Sequence, residues 1–260
     1  MPTYLDRILE AHRAAAIEAP REPTPHPGAR GFAARLRDAA AGGEIAVIAE
    51  IKRRSPSKGD LDAGLDAAAV AADYERGGAA CLSVLTDHAF FGGSAEDLAV
   101  ARAATSLPVL RKDFTVCEAD VVEAAAMGAD AVLLIVAALS DAELARFHHL
   151  AGEVGVDALV EVHDEAELER ALVVGATLIG VNQRDLVTFE VDTRRALRMA
   201  AAMPAGVVAV AESGIAGPDD AAALAEAGYH AVLVGETLIR AGDRAAAVAA
   251  LRTARRRTLA

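Results

Sequence analysis

Tryptophan is absent from this 260-residue chain, and aromatic side chains make up only 3% of it. A sizeable interior must therefore be filled by Ala, Val, Leu and Ile, and the many Ala positions suit helices packed closely on a sheet. Only two cysteines occur, Cys81 inside an apolar run and Cys117 after a polar turn. That excludes a disulfide framework and any paired-cysteine metal spacing. A basic excess is lacking too: the formal net charge is -12. Nonspecific binding to nucleic acid is not expected, because phosphate backbones attract basic surfaces. No apolar run reaches the roughly 18 residues of a membrane span. Residues 1–10 are charged and amphipathic, without the apolar segment of a signal peptide. The expectation is a cytoplasmic protein, a monomer or weak homo-oligomer, with neither a nucleic acid nor a membrane as partner.

What is present is a repeat. From Ile45 onward a short apolar run, a polar loop, an Ala-rich amphipathic stretch and a Gly-led turn recur. Strands are predicted at 45–50, 80–85, 107–112, 130–136, 157–162, 176–182, 207–212 and 231–235. Gly77-Gly78, Gly128, Gly155, Gly175 and Gly228 come just before strands, where a left-handed residue ends the preceding helix. Ser94 with Asp97, Ser140 with Glu143 and Asp164 with Glu167 have the spacing of helix-starting capping boxes. Eight strands alternating with helices predict a parallel α/β sheet closed into a (β/α)₈ barrel. An open doubly wound sheet is the alternative; it would concentrate polar residues at one switch point, whereas here they end nearly every strand. Residues 1–43 read as an N-terminal helical extension and 44–260 as the barrel. The extension has helical stretches at 4–18 and 32–41, separated by Pro20, Pro23, Pro25 and Pro27, and is expected to cap a barrel mouth.

Polar residues at the strand ends define the expected mouth. Glu50 and Lys52 are two apart on the first strand, so both side chains point the same way. A surface ion pair is the plainer reading, opposed by the apolar run before it and the cations Arg53, Arg54 and Lys58 after it. Later strands end in Thr86-Asp87, Arg111-Lys112-Asp113-Phe114, Glu161 and His163, Asn182 with Arg184 and Asp185, Glu212-Ser213-Gly214, and Gly235-Glu236-Thr237. Converging lysines and glutamates can transfer protons and hold anions, because burial and close charges push their pKa values apart. An anionic substrate would be met by Lys52, Arg53, Arg54, Lys58, Arg111 and Lys112. Gly214 and Gly235 follow the seventh and eighth strands, the usual phosphate site of this barrel class.

Other residues get plainer readings. Cys81 is a small core hydrophobe, His148 and His149 are helix residues without metal-spaced partners, and Arg255-Arg256-Arg257 is a solvated helix end. Phe90 and Phe91 are either core or a mouth contact for a ring-bearing substrate. No dinucleotide fingerprint, P-loop or G-x-S-x-G is present, and no metal or redox cofactor is implied.

The run Ile48-Ala49-Glu50-Ile51-Lys52-Arg53-Arg54-Ser55-Pro56-Ser57-Lys58-Gly59 resembles the signature of the indole-3-glycerol phosphate synthases of tryptophan biosynthesis. The resemblance continues in order through Ser83-Val84-Leu85-Thr86-Asp87, Phe91-Gly92-Gly93-Ser94, Leu110-Arg111-Lys112-Asp113-Phe114 and Leu159-Val160-Glu161-Val162-His163. It ends with Ile179-Gly180-Val181-Asn182-Gln183-Arg184-Asp185-Leu186, Ala211-Glu212-Ser213-Gly214-Ile215 and Leu233-Val234-Gly235-Glu236. It implies a barrel with an N-terminal extension that acts as a carboxy-lyase on carboxyphenylamino-deoxyribulose 5-phosphate, closing the pyrrole ring and releasing carbon dioxide and water.

The resemblance also implies roles. Lys112 is the general acid and Lys52 lies near the substrate carboxylate and phosphate. Glu161 is the base, and Glu50 tunes the lysines. Asn182, Arg184, Glu212 and Ser213 hold carboxylate and hydroxyl groups. Ser55, Gly214, Gly235 and Glu236 hold the phosphate. Phe91, Phe114 and Leu133 pack on the aromatic ring. Gln183 stands where the family often has Asn and is expected to point away from the pocket. Two other readings remain beside this one: a sugar-phosphate isomerase, and a noncatalytic barrel that binds a phosphorylated metabolite or partner enzyme. The set of Glu50, Lys52, Lys112 and Glu161 argues against both.

Overall fold

The chain alternates strand and helix around a closed barrel. The computed structural model describes residues 3–16, 26, 28–55 and 59–252. The readings of Pro20, Pro23, Pro25, Pro27, Lys58 and Arg255-Arg256-Arg257 lie outside the described residues.

Two helices come first, α1 (Tyr4–Ala15) and α2 (Phe32–Ala41). The barrel follows as β1 (Ala46–Ile51), α3 (Ala67–Arg76), β2 (Cys81–Leu85), α4 (Ala95–Ala104), β3 (Val109–Lys112) and α5 (Glu118–Ala126). It continues as β4 (Ala131–Ile135), α6 (Asp141–Val154), β5 (Asp157–Val162), α7 (Glu165–Val173), β6 (Leu178–Asn182) and α8 (Arg195–Met199). It closes with β7 (Val208–Glu212), α9 (Pro218–Glu226), β8 (Ala231–Val234) and α10 (Arg244–Arg252). The eight barrel strands are all parallel, and β8 pairs back onto β1 with Ala46 opposite Ala231. Each predicted strand is present, with ends within two residues of the expected ones.

The local signals act as expected. Ser140 accepts from the Glu143 N–H while the Glu143 carboxylate accepts from the Ser140 N–H at 2.8 Å, a complete capping box. Asp164 accepts from the Glu167 N–H, but the Glu167 carboxylate turns instead to His163.

Alternation along the strands sorts the apolar residues into two bodies. Val47, Ala49 and Ile51 of β1 face outward into a layer shared with the helices, beside Val70, Leu98 and Leu144. Ala46 and Ile48 face inward with Cys81, Leu110, Leu133, Leu159, Val210 and Leu233. Small side chains line the bottom of the barrel: Ala46, Ala80, Cys81, Ala131 and Ala231. Phe32 and Leu36 of α2 complete that interior and are fully buried. The Cys81 thiol approaches the Phe32 carbonyl, and burial pushes its pKa up. The two leading helices thus lie at opposite ends. α2 closes the N-terminal face, while α1 packs Leu5 and Ile8 toward Phe90, Phe91, Phe114 and Leu186 at the C-terminal mouth.

Charged contacts fasten α1 there. Arg13 donates to Glu143 at 2.9 Å and to the Ala138 carbonyl at 3.2 Å. His12 Nε2 meets Asp87 Oδ2 at 2.9 Å, with Asp113 at 3.9 Å. The hydrogen bond to Asp87 raises the His12 pKa; burial opposes it, and Asp113 and Asp120 add to it. Burial pushes Asp87 up, but His12 and the Phe90 and Phe91 N–H groups outweigh it and leave its pKa low. The stabilisation from His12 is full below the ordinary imidazole pKa and is lost as pH rises through the raised value. That from Asp87 is present above the ordinary carboxylate range and is lost as pH falls through the lowered value. Docking of α1 is therefore strongest at mildly acidic pH. Hydrogen exchange of the α1 amides is expected to speed up severalfold on going to alkaline pH beyond intrinsic exchange, and His12→Asn should flatten that dependence. Equal pH responses in the native chain and the variant would show that the pair does not fasten the helix.

Candidate active site

The strand ends gather around a cavity of about 440 Å³ at the C-terminal mouth. β1 places Glu50 and Lys52 on its wall, and the following loop adds Ser55. Lys112 and Phe114 come from β3, Leu133 from β4, Glu161 from β5, and Asn182 and Arg184 from β6. Glu212, Ser213 and Gly214 follow β7, and Gly235 and Glu236 follow β8. Phe91 reaches in from the turn of helix His88–Phe91. Every residue to which the family resemblance gave a role thus borders one space.

Its centre is a chain of charges. Lys112 Nζ lies 2.9 Å from Glu161 Oε2 and 3.4 Å from Glu212 Oε2. Lys52 Nζ lies 2.6 Å from Glu50 Oε1. Asn182 Nδ2 donates to Glu161 Oε1 at 2.9 Å, and its own Oδ1 accepts from the Arg184 N–H at 3.0 Å. Burial alone would push Lys112 toward the neutral form. Glu161, Glu212 and Glu50 outweigh it, so the ammonium is held charged. Burial likewise pushes Glu161 up, but Lys112, His163 and the Asn182 amide overcome it and keep it ionised. Glu212 goes the other way. Its burial, with the charges of Glu161 and Glu50, outweighs Lys112 and pushes its pKa up. Two adjacent carboxylates held apart in this way give an ionised base beside a protonated partner, with an ammonium between them.

The backbone makes room for these groups. A methyl at Gly180 would overlap the Glu212 carboxylate, and one at Gly235 would overlap that of Glu50. Gly180→Ala should therefore displace Glu212 from Lys112. Overpacking costs about 1–3 kcal/mol, and a misplacement near 1 Å costs roughly 10²-fold in rate. The expected result is a folded protein with kcat down by about that factor; unchanged kinetics would contradict the placement of Glu212. Ser213 and Gly214 both have positive φ, 68° and 72°. The Gln183 amide donates to the Ser213 carbonyl at 2.8 Å and holds this turn. Gln183 is buried and lies off the cavity wall, and its position beside the β7 turn explains where it points.

The expected cation cluster is dispersed. Arg53 donates to Asp97 at 2.5 Å and to the Leu65 carbonyl, Arg54 pairs with Asp60, and Arg111 turns to the Asp120 carbonyl and Thr86. None of the three borders the cavity; Lys52, Lys112 and Arg184 do, joined by Arg240, which sequence reasoning missed. These side chains meet carboxylates and carbonyls within their reach before they reach the mouth. Phe189 was missed too. It has φ 62°, its carbonyl oxygen accepts from Arg184 Nη1 at 3.1 Å, and its ring packs edge-on with Tyr4 of α1 at 4.9 Å. Tyr4 also meets Phe90 at 5.8 Å, and Phe91 lies 6.4 Å from Phe114. An apolar aromatic rim thus borders the charged centre. Among the described residues His12, Asp87 and Asp113 form a group that could hold a cation. Their oxygens already accept from the Phe90, Phe91 and Phe114 N–H groups, Thr86 and Arg111, so they serve the protein's own donors. No helix among the described residues is long and apolar enough to cross a membrane.

A family model described as indole-3-glycerol phosphate synthase matches residues 5–251. An "Indole-3-glycerol phosphate synthase" from a Nocardioides species is 52% identical over 234 residues, covering 90% of this chain and 85% of its own length. An "Indole-3-glycerol phosphate synthase 2" from Streptomyces coelicolor is 54% identical over 217 residues, covering 84% of this chain and 83% of its own. Among solved structures, a thiamine phosphate pyrophosphorylase from Pyrococcus furiosus is similar with a TM-score of 0.59 and 17% identity, over 80% of this chain and 93% of that one. That last likeness concerns the fold alone.

Proposed function

The chain belongs to the indole-3-glycerol phosphate synthase family, and on that premise we propose that it converts carboxyphenylamino-deoxyribulose 5-phosphate to indole-3-glycerol phosphate, a carboxy-lyase step of tryptophan biosynthesis, through the cavity groups named above. The observation that carries the assignment of roles is the position of Lys112 between Glu161 and Glu212. An ammonium kept charged can act as the acid, and a carboxylate kept ionised beside it can act as the base.

In the first step the ring carbon that bears the carboxylate attacks the ketose carbonyl, and a carbon–carbon bond forms. Lys112 gives its proton to the carbonyl oxygen, which becomes a hydroxyl. The carboxylate then leaves as carbon dioxide, and its bonding pair stays with the ring. In the last step Glu161 takes the proton that must be lost while an ammonium of the pair Lys52 and Lys112 protonates the departing hydroxyl, which leaves as water; the double bond so formed makes the pyrrole aromatic. Glu50 pairs with Lys52 at the end of β1 and tunes it, and the Lys52 ammonium meets the substrate carboxylate. Glu212, kept protonated, donates a hydrogen bond to a substrate oxygen, as do Asn182 and Ser213. Phe91, Phe114 and Leu133 hold the ring near the carbonyl, which removes much of the orientational cost of closure. Arg184 faces the substrate carboxylate. Ser55 and the N–H groups of Gly214, Gly235 and Glu236 take the phosphate, where close backbone approach favours an anion.

The test is an indole fluorescence assay on the purified chain with that substrate and no added metal. The absence of tryptophan keeps the protein's own background low. Product at catalytic rates supports the reading. Tight binding without product would favour a noncatalytic barrel, and neither would remove the proposed substrate.

A further inference from the structure

Behind the cavity wall, one ring is aimed at the proposed base. His163 follows β5 two residues after Glu161, and does not itself border the cavity. Its Nδ1 lies 3.0 Å from Glu167 Oε2, the same oxygen that accepts from its backbone N–H at 2.7 Å. Its Nε2 is buried without a hydrogen-bond partner and lies 3.7 Å from Glu161 Oε1. We propose that His163, gripped by Glu167, is a positioning residue that holds Glu161 in place as an anion facing Lys112. The proposal rests on the functional reading above for the word base, and on geometry for the rest.

A carboxylate only accepts, so the contact with Glu167 puts a proton on Nδ1. If Nε2 were bare, its lone pair would face the Glu161 carboxylate inside a buried space, which is unfavourable. If Nε2 is protonated, a buried donor faces a buried acceptor, and opposite charges meet. The charged groups around the ring are Glu161 on β5, Glu167 on α7 and Arg195 on α8, with Lys112 of β3 beyond Glu161. Burial disfavours the cation, but Glu167 and Glu161 outweigh it and Arg195 together, and the pKa of His163 is raised. The local sequence builds this grip. Asp164 caps α7 and leaves the Glu167 side chain free to reach back one residue further than in a capping box. Asn182 restrains Glu161 from its other side through the same Oε1.

Below its raised pKa His163 is a cation and supports ionised Glu161; above it, that support goes. The pH profile of kcat in the native chain should therefore fall through an inflection on the alkaline side of an ordinary imidazole. His163→Asn should remove that inflection and lower kcat severalfold, because Glu161 loses one of the contacts that hold it toward Lys112, with KM nearly unchanged. Glu167→Gln keeps the acceptor but drops the charge, so the inflection should move to lower pH. A merely structural role would change stability and leave the inflection in place. Imidazole NMR titration reads the same coupling without turnover: the His163 signal, assigned by its loss in His163→Asn, should titrate at lower pH in Glu161→Gln. That shift is expected even if the native chain makes no product, an outcome that would remove the functional reading alone. An unmoved NMR titration in Glu161→Gln, or an unchanged inflection in His163→Asn, would overturn the proposal.

Discussion

Replacing Lys112 by Met should abolish turnover almost completely while leaving much of the substrate affinity. Loss of a positioned general acid costs roughly 10²–10⁴-fold, and here the same change also removes the cation between Glu161 and Glu212. The expected fall in kcat is at the upper end, about 10⁴-fold, with a smaller change in KM because the phosphate and ring contacts remain. Stability should respond as well. Stripping the partner from a buried charge costs about 3–5 kcal/mol, and Glu161 would then bind a proton more readily than in the native chain. A group whose folded pKa is raised makes the fold relatively more stable at lower pH. The thermal midpoint of Lys112→Met should therefore lie closest to the native one at acidic pH and furthest from it at alkaline pH. Initial rates and melting curves at two pH values check both parts. Near-native kcat would remove Lys112 from the reaction.

Glu161→Gln should be the second most severe change, with kcat down roughly 10³-fold, and for a separable reason. Gln keeps the shape and one acceptor near Asn182 and Lys112 but cannot take a proton. The charge it removes is one of those that push Glu212 up. Glu212 should then ionise in its place, still beside Lys112, so the fold should lose little. Carbon–carbon bond formation and decarboxylation precede the proposed step of Glu161. A single turnover of this variant should therefore release carbon dioxide faster than it forms indole, whereas Lys112→Met should release neither. Indole and carbon dioxide slowed together in Glu161→Gln would assign this carboxylate to an earlier step.

The strands and the charged mouth were legible because both are written at short range. An apolar run with a polar exit places Glu50, Lys112, Glu161 and Glu212 at the same face of any parallel barrel, and closure then brings them together. Which mouth α1 and α2 each close was harder to read, since nothing local in an amphipathic helix says where it docks. The small bottom layer of Ala46, Ala131 and Ala231 that admits Phe32 is assembled from distant strands. Arg53 and Arg111 look like anion ligands in the sequence. Their partners, Asp97 and the Asp120 carbonyl, lie in neighbouring helical segments that spacing alone does not reveal. Gly180 sat inside a recognised motif, yet its reason became visible only when the Glu212 side chain was placed against it. Tyr4 and Phe189 bridge segments far apart in the chain, so their rim over the mouth is a property of the folded state.

On the proposed chemistry this cavity makes an indole ring by losing one carbon dioxide for each ring closed. The most direct measurement is carbon dioxide and indole-3-glycerol phosphate from the same reaction, with the substrate's carboxylate carbon labelled. The native chain should give equal amounts of the two at all times after the first turnover. Substrate consumed without labelled carbon dioxide, or labelled carbon dioxide released without indole, would contradict it.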